Sequence, residues 1–233
     1  LPIPDHNHPP LVAMLVLTQA AAGGFLVELI ARWSGAPDGI AGSLHPASCL
    51  ALAFLGLGAS LWHLGRPQYA YRALLGIGHS WLSREVAALG LFAKVAAAYV
   101  AADLLAPDML ANLPGLRSAL LALVVATGSA GVASSVMVYH VLRRPSWRAS
   151  ISGWKFAGTA VVLGLAVASV GLGLRPDARE SESTGVVVAL ALSAATAWKL
   201  RFEARDRRGE GDGPLGRTAR LLRGPLRRTV ELR

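Results

Sequence analysis

The sequence predicts an all-α protein, a polytopic bundle of about six transmembrane helices. Hydrophobic residues make up 53% of the 233-residue chain and charged residues only 16%, against about a quarter charged in soluble domains. The apolar residues fall in runs of roughly twenty, the length a helix needs to cross the hydrocarbon core. The chain is poor in Phe and rich in Ala, Gly, Leu and Val. That composition suits helices packed closely in lipid rather than a bulky aqueous core.

The expected elements follow in order. The first span covers residues 11–31, and Pro9-Pro10 opens it where missing amide donors cost nothing. Glu28 and Arg32, one turn apart near its end, can pair. A Gly/Pro loop leads to the second span, 45–63, which stops at Gly65-Arg66-Pro67. The third covers 81–105, the fourth 118–142, the fifth 151–174 and a shorter sixth 184–200. Residues 1–204 thus form the helical bundle, and 205–233 a basic linker and interfacial segment. The stretch 205–213 is charged and Gly-rich, an exposed linker. Beyond it Leu221, Leu222, Leu226 and Val230 alternate with Arg220, Arg223, Arg227 and Arg228, the pattern of an amphipathic helix on anionic lipid or of a loose basic tail.

The net charge is +9. The arginines sit between or after apolar runs, where membrane loops and lipid phosphates account for them, so nucleic acid is not an expected partner. The single cysteine, Cys49, excludes an internal disulfide and any cysteine-held metal centre, and reads as a small buried apolar residue. The chain begins at Leu1 rather than Met, so a processed segment, a fused domain or further residues are expected ahead of it. Pro2-Ile3-Pro4-Asp5 lacks the pattern of a signal peptide.

Alternating span direction places Arg66, Arg72, Arg143, Arg144, Arg148, Lys199 and Arg201 on one side of the membrane. Arg32, Arg117, Arg175 and Arg179 fall on the other, diluted by Asp38, Asp108, Asp177, Glu180 and Glu182. The positive-inside rule calls the first side, with both termini, cytoplasmic.

Polar groups near membrane depth carry the chemical information, because each costs free energy unless paired or used. His63 ends the second span, His79 and Glu85 open the third, and Tyr139 and His140 close the fourth. All fall on one face, joined by Arg66, Arg72, Arg84, Arg143 and Arg144. Three readings stay open. Paired histidines could ligate a haem. The groups could be structural, with His63 capping a helix and Glu85 pairing with Arg84 or Arg66. Or they could form a quinol site, which needs an apolar slot near the interface, a base beside each hydroxyl and a proton exit. A chain without electron-carrying ligands would then hand the electrons to a partner's redox centre.

The same segments resemble a known family. Pro10-Leu11-Val12, Leu17-Thr18-Gln19-Ala20 and Gly23-Gly24 look like the first helix of the membrane anchor subunit of dimethyl sulfoxide reductase-type molybdoenzymes. His63-Leu64-Gly65-Arg66-Pro67 with Ala70-Tyr71-Arg72-Ala73-Leu74 resembles the family's most recognisable stretch. Ser80-Trp81-Leu82-Ser83-Arg84-Glu85, then Met137-Val138-Tyr139 with Pro145-Ser146-Trp147, continue it in order.

The resemblance implies an integral protein of a bacterial or archaeal cytoplasmic membrane that holds an iron–sulfur subunit and a molybdopterin catalytic subunit. It implies oxidation of menaquinol, electron transfer to the iron–sulfur subunit and no haem in this chain. By the same resemblance His63 and Glu85 belong to the quinol site, supported by Arg66 and Tyr139. Arg72, Arg84, Arg143 and Arg144 are the expected partner-facing cations. Family members typically have eight spans, so a further pair is either absent here or follows the 221–228 stretch. Well-known relatives carry the histidine side outside the cytoplasm, against the charge rule, and the side stays open. Lys94, in the middle of the third span, either snorkels or faces the bundle. The rival functions are a purely structural anchor without quinone chemistry, and a small transporter, which would show inverted repeats and broken helices.

Overall fold

The computed structural model describes residues 9–35, 40–62, 64, 66–144, 147–174 and 182–208. Its long helices are α1 (Pro9–Trp33), α2 (Leu44–Trp62), α3 (Trp81–Leu105), α5 (Pro114–Val141), α6 (Ala149–Gly173) and α7 (Glu182–Arg208), with a short α4 (Pro107–Asn112) between α3 and α5. Among the described residues six helices are long and apolar enough to cross a membrane, as the sequence predicts, and no β-strand occurs.

Local chemistry sets the ends. Ser80 stands in extended conformation before α3, and its side chain accepts the Ser83 amide at 3.4 Å. This is an N-cap, which meets an amide the helix itself cannot satisfy. Pro107 and Pro114 disfavour helical dihedrals in the residues before them. The chain accordingly breaks at Ala106 (φ −138°, ψ 52°) and Leu113 (φ −126°, ψ 67°), which isolates α4. A 3-10 segment, Pro67–Gly76, joins α2 to α3 on the face where α1 begins. The helix α7 continues through Arg208. The interfacial stretch expected at 221–228 lies outside the described residues.

Helix α1 packs on α2, α5 and α6, α3 pairs with α5, and α7 leans on α6. The α1–α6 crossing is a backbone contact. A Cβ on Gly23 would overlap the Ala160 carbonyl oxygen, and one on Gly164 would overlap the Gly23 carbonyl and stand 2.7 Å from the Gly24 nitrogen. Removing side chains lets two backbones approach, which is how lipid-embedded helices gain dispersion energy without a hydrophobic drive.

The pairing of α3 with α5 runs along one buried stripe. Glu85, Leu89, Phe92, Ala96, Tyr99 and Asp103 recur at three- and four-residue intervals on α3, and all are buried. Gly128 sits against Phe92 and Gly131 against Leu89, and Phe25 of α1 meets Phe92 and Tyr99 edge-on at 5.9 and 6.3 Å.

Polar pairs close the face opposite the 3-10 segment. Arg32 Nε donates to Glu28 at 2.8 Å, as expected from the sequence, and the Ile40 amide donates to the other Glu28 oxygen at 3.1 Å. Arg117 donates to Asp103 at 2.6 Å, tying α5 to α3. Asp103→Asn removes the charge from this bond and is expected to cost about 1.5–3 kcal/mol, read as a lower melting temperature of the purified protein. Lys94 is exposed on the outside of α3, so its stem runs along the helix exterior rather than into the bundle.

Candidate functional site

The first turns of α3 and the last turns of α5 meet on the face where α1 begins. Four residues of α3 separate Glu85 from Leu89, and four of α5 separate Gly131 from Ser135. In an antiparallel pair those spacings bring Glu85 opposite Ser135 once Leu89 rests on Gly131. A Cβ at position 131 would lie 2.5 Å from a Leu89 methyl, so glycine there permits the approach.

Glu85 is 5% exposed, and its Oε1 accepts a hydrogen bond from the Ser135 hydroxyl. The same hydroxyl lies 3.2 Å from the Gly131 carbonyl oxygen. One proton therefore faces two acceptors. With Glu85 ionised, the hydroxyl donates to the carboxylate. With Glu85 protonated, the carboxyl donates to Ser135, whose proton turns to Gly131. The pair stays hydrogen-bonded in both states.

Among the described residues three carboxylates are buried: Glu28, Glu85 and Asp103. Glu28 and Asp103 have arginine partners. Glu85 has a serine, and neither Arg84 nor Arg66, the partners a structural role would have supplied. Arg84 instead donates to the carbonyl oxygens of Ile77 and Gly78 at 2.9 and 3.1 Å and stacks on Trp81 at 4.4 Å, closing the turn before α3.

The other expected site residues are distributed around this pair. Tyr139 lies one turn beyond Ser135 on the same side of α5, within electrostatic reach of Glu85. Its ring meets Trp147 and Phe156 edge-on at 5.2 and 5.7 Å. Arg144 stacks on Trp147 at 4.6 Å, and Arg72 on Tyr69 at 5.9 Å. Arg66, Arg72, Arg143 and Arg144 are exposed. Arg143 holds a positive φ of 52° where α5 ends. His63 lies outside the described residues. His79 and His140 are exposed, and His140 Nδ1 accepts the Ala149 amide at 3.2 Å at the start of α6. An apolar cleft of about 400 Å³ lies between α1, α5 and α6, lined by Leu26, Val136, Met137, Gly153 and Ala157 among others; neither Glu85 nor Ser135 is among its lining residues.

Ser135 was not legible as a site residue from the sequence. The signal that could have found it is the small-residue line Gly128, Gly131 and Ser135 on one side of α5, facing the α3 stripe that starts at Glu85.

Comparison with known proteins bears on the same residues. Residues 5–202 match the family described as DMSO reductase anchor subunit (DmsC). The chain belongs to that family. It is 31% identical over 160 residues to a chain of the anaerobic dimethyl sulfoxide reductase of Haemophilus influenzae, covering 67% of this chain and 55% of that protein. It is 50% identical over 50 residues to a subunit of the sulfite dehydrogenase of Allochromatium vinosum, covering 22% of this chain and 15% of that one. The chain thus spans about half the length of the first relative. No solved structure matches it. The family match takes in α1 to α6 and most of α7, so the Glu85–Ser135 pair sits inside an integral membrane anchor subunit.

Proposed function

We propose that this chain is the quinol-oxidising anchor of a molybdoenzyme complex. Menaquinol binds at the edge of the bundle beside Glu85, and its electrons leave to an iron–sulfur subunit that carries them to a molybdopterin catalytic subunit. The observation that carries this reading is the buried Glu85 carboxylate held by a serine, with no cation paired to it among the described residues. A carboxylate in a helix that crosses lipid costs free energy. The two that serve packing recover it through arginine. Glu85 can take up and release a proton without breaking an ion pair, which is what a base for a quinol hydroxyl must do.

Oxidation of a quinol releases two electrons and two protons. Glu85 accepts one proton, and Ser135 re-aims its hydroxyl to keep the new acid hydrogen-bonded. His63, which follows the last residue of α2, is the second proton acceptor in this proposal, on the strength of the family resemblance. Tyr139 and Arg66 orient the ring. Arg72, Arg143 and Arg144, exposed on the same face, meet acidic groups of the iron–sulfur partner.

Ser135→Ala tests the pairing. It removes one hydrogen bond to a charged group, about 1.5–3 kcal/mol, and quinol-driven turnover is expected to fall roughly 10-fold or more. Ser135→Thr should restore it. The measurement is quinol-dependent reduction by membranes carrying the assembled complex. Unchanged turnover in Ser135→Ala would remove the serine from the mechanism.

A further inference from the structure

We infer that the outer face of α3 around Lys94 is a docking face for a transmembrane helix of a partner subunit, one that carries an aspartate or glutamate at the middle of the bilayer. The inference is independent of the quinol reading.

Lys94 lies thirteen residues from Trp81 and eleven from Leu105 on α3, about 20 and 16 Å at 1.5 Å per residue. Polar groups mark the two edges. Arg84 stacks on Trp81 at one, and Arg117 holds Asp103 at the other. In a hydrocarbon core about 30 Å thick, the Lys94 backbone is about 15 Å from either interface. A lysine stem extends roughly 6 Å, less than half of that, so snorkelling leaves the ammonium in hydrocarbon.

An ammonium at that depth costs free energy unless an anion meets it. Arg32, Arg117 and Lys199 each reach a carboxylate. Lys94 pairs with none among the described residues. The helices α2 and α5 and the 3-10 segment, all packed on α3, contain no Asp or Glu. Asp108 of α4 lies beyond the end of α3, and Glu28 of α1 is held by Arg32. A second copy offers nothing better, because every Asp and Glu in the described helices lies within five residues of a helix end. None of them stands at the depth of Lys94, so the anion comes from another polypeptide.

The surface around Lys94 has the shape a helix needs. Leu91, Lys94, Ala98 and Ala101 are exposed at the three- and four-residue spacing of one helix face. Between Leu91 and Leu104, α3 exposes no large apolar side chain. Its bulky exposed residues stand toward the ends, and its centre carries alanines beside the one cation. Alanines let a second backbone approach closely, which brings a carboxylate on that helix within reach of the ammonium. A single lysine in such a seam also fixes the register of the partner.

The test treats the native membrane with dicyclohexylcarbodiimide, which activates carboxyl groups in the apolar phase so that a neighbouring lysine amine closes an amide bond. Joined peptides are identified by mass spectrometry. We expect Lys94 joined to an Asp or Glu in a transmembrane segment of a partner subunit, at least several-fold above any other Lys94 product. Lys94 joined instead to this chain or to a second copy would overturn the inference. Lys94→Leu supplies a second readout, of opposite sign in the two cases. With a carboxylate facing it, the variant strands that anion. The partner subunit recovered with the chain from native membrane then falls at least several-fold, while the chain alone folds as wild type in mild detergent, and Lys94→Arg restores the partner. With lipid facing it, Lys94→Leu removes a charge from hydrocarbon. Recovery of the same subunits at the wild-type level or above would therefore also overturn the inference.

Discussion

Glu85→Gln is expected to reduce quinol-driven electron delivery by about 100-fold or more, the scale of losing a positioned general base. The change keeps shape and a hydrogen bond to Ser135 while removing the ability to hold a proton. Because no cation among the described residues pairs with Glu85, neutralising it leaves no unpaired charge among them, so assembly and membrane insertion should stay intact. Glu28→Gln and Asp103→Asn serve as contrasts: each breaks an ion pair with arginine and should lower stability with little effect on turnover per assembled complex. The measurement is quinol-dependent reduction of the terminal acceptor, normalised to the amount of assembled complex. Full turnover in Glu85→Gln would return the carboxylate to a structural role.

The second large effect is mechanical. Gly23→Val or Gly164→Val puts a branched side chain where the backbones of α1 and α6 touch. Neither backbone can yield as a flexible side chain would, so the helices must separate. Because α1 also carries the contacts to α2 and α5, the loss should spread through the bundle. Overpacking alone costs about 1–3 kcal/mol, and separation of the crossing adds lost dispersion contacts. Either variant should give a strongly reduced yield of folded protein in mild detergent, measured by size-exclusion chromatography. Gly90→Ala, with no atom within 4 Å of the new Cβ, is the control and should behave as wild type. Equal yields for all three would show that the α1–α6 contact is not a determinant of folding.

These contrasts show which parts of the fold a sequence can reveal. The third span was legible at both ends, because Ser80 caps it and Ala106-Pro107 stops it. The fourth begins four residues before its expected start, at Pro114, since a proline at the first helical position marks the start better than hydropathy does. The sixth runs on to Arg208 because helical hydrogen bonds do not require apolar side chains once the chain has left the lipid. The short α4 was missed for a related reason. Two X-Pro breaks lie seven residues apart, and a piece that short carries no periodic signal.

The candidate site was half legible. Glu85 and the arginines of its face stand out as polar groups at span ends, and the resemblance assigns them roles. Ser135 does not stand out, because a serine in a helix that crosses lipid most often bonds its own backbone. Only the packing of Leu89 on Gly131 turns it toward the carboxylate. The α3 stripe from Glu85 to Asp103 has helical spacing and was readable in principle, but its meaning depends on which helix faces it. The groups of the opposite face were scattered across four separate segments. The bond from Arg117 to Asp103 joins two of these segments and is a property of the tertiary fold.

The most direct test of the central claim is to purify the complex from its native membrane in mild detergent and identify every subunit and bound quinone by mass spectrometry, for wild type and Glu85→Gln. The account predicts molybdopterin and iron–sulfur subunits in both samples, with menaquinone retained by the wild type and depleted in the variant. Recovery of the chain without redox partners or quinone would contradict it, as would equal quinone retention in the two samples.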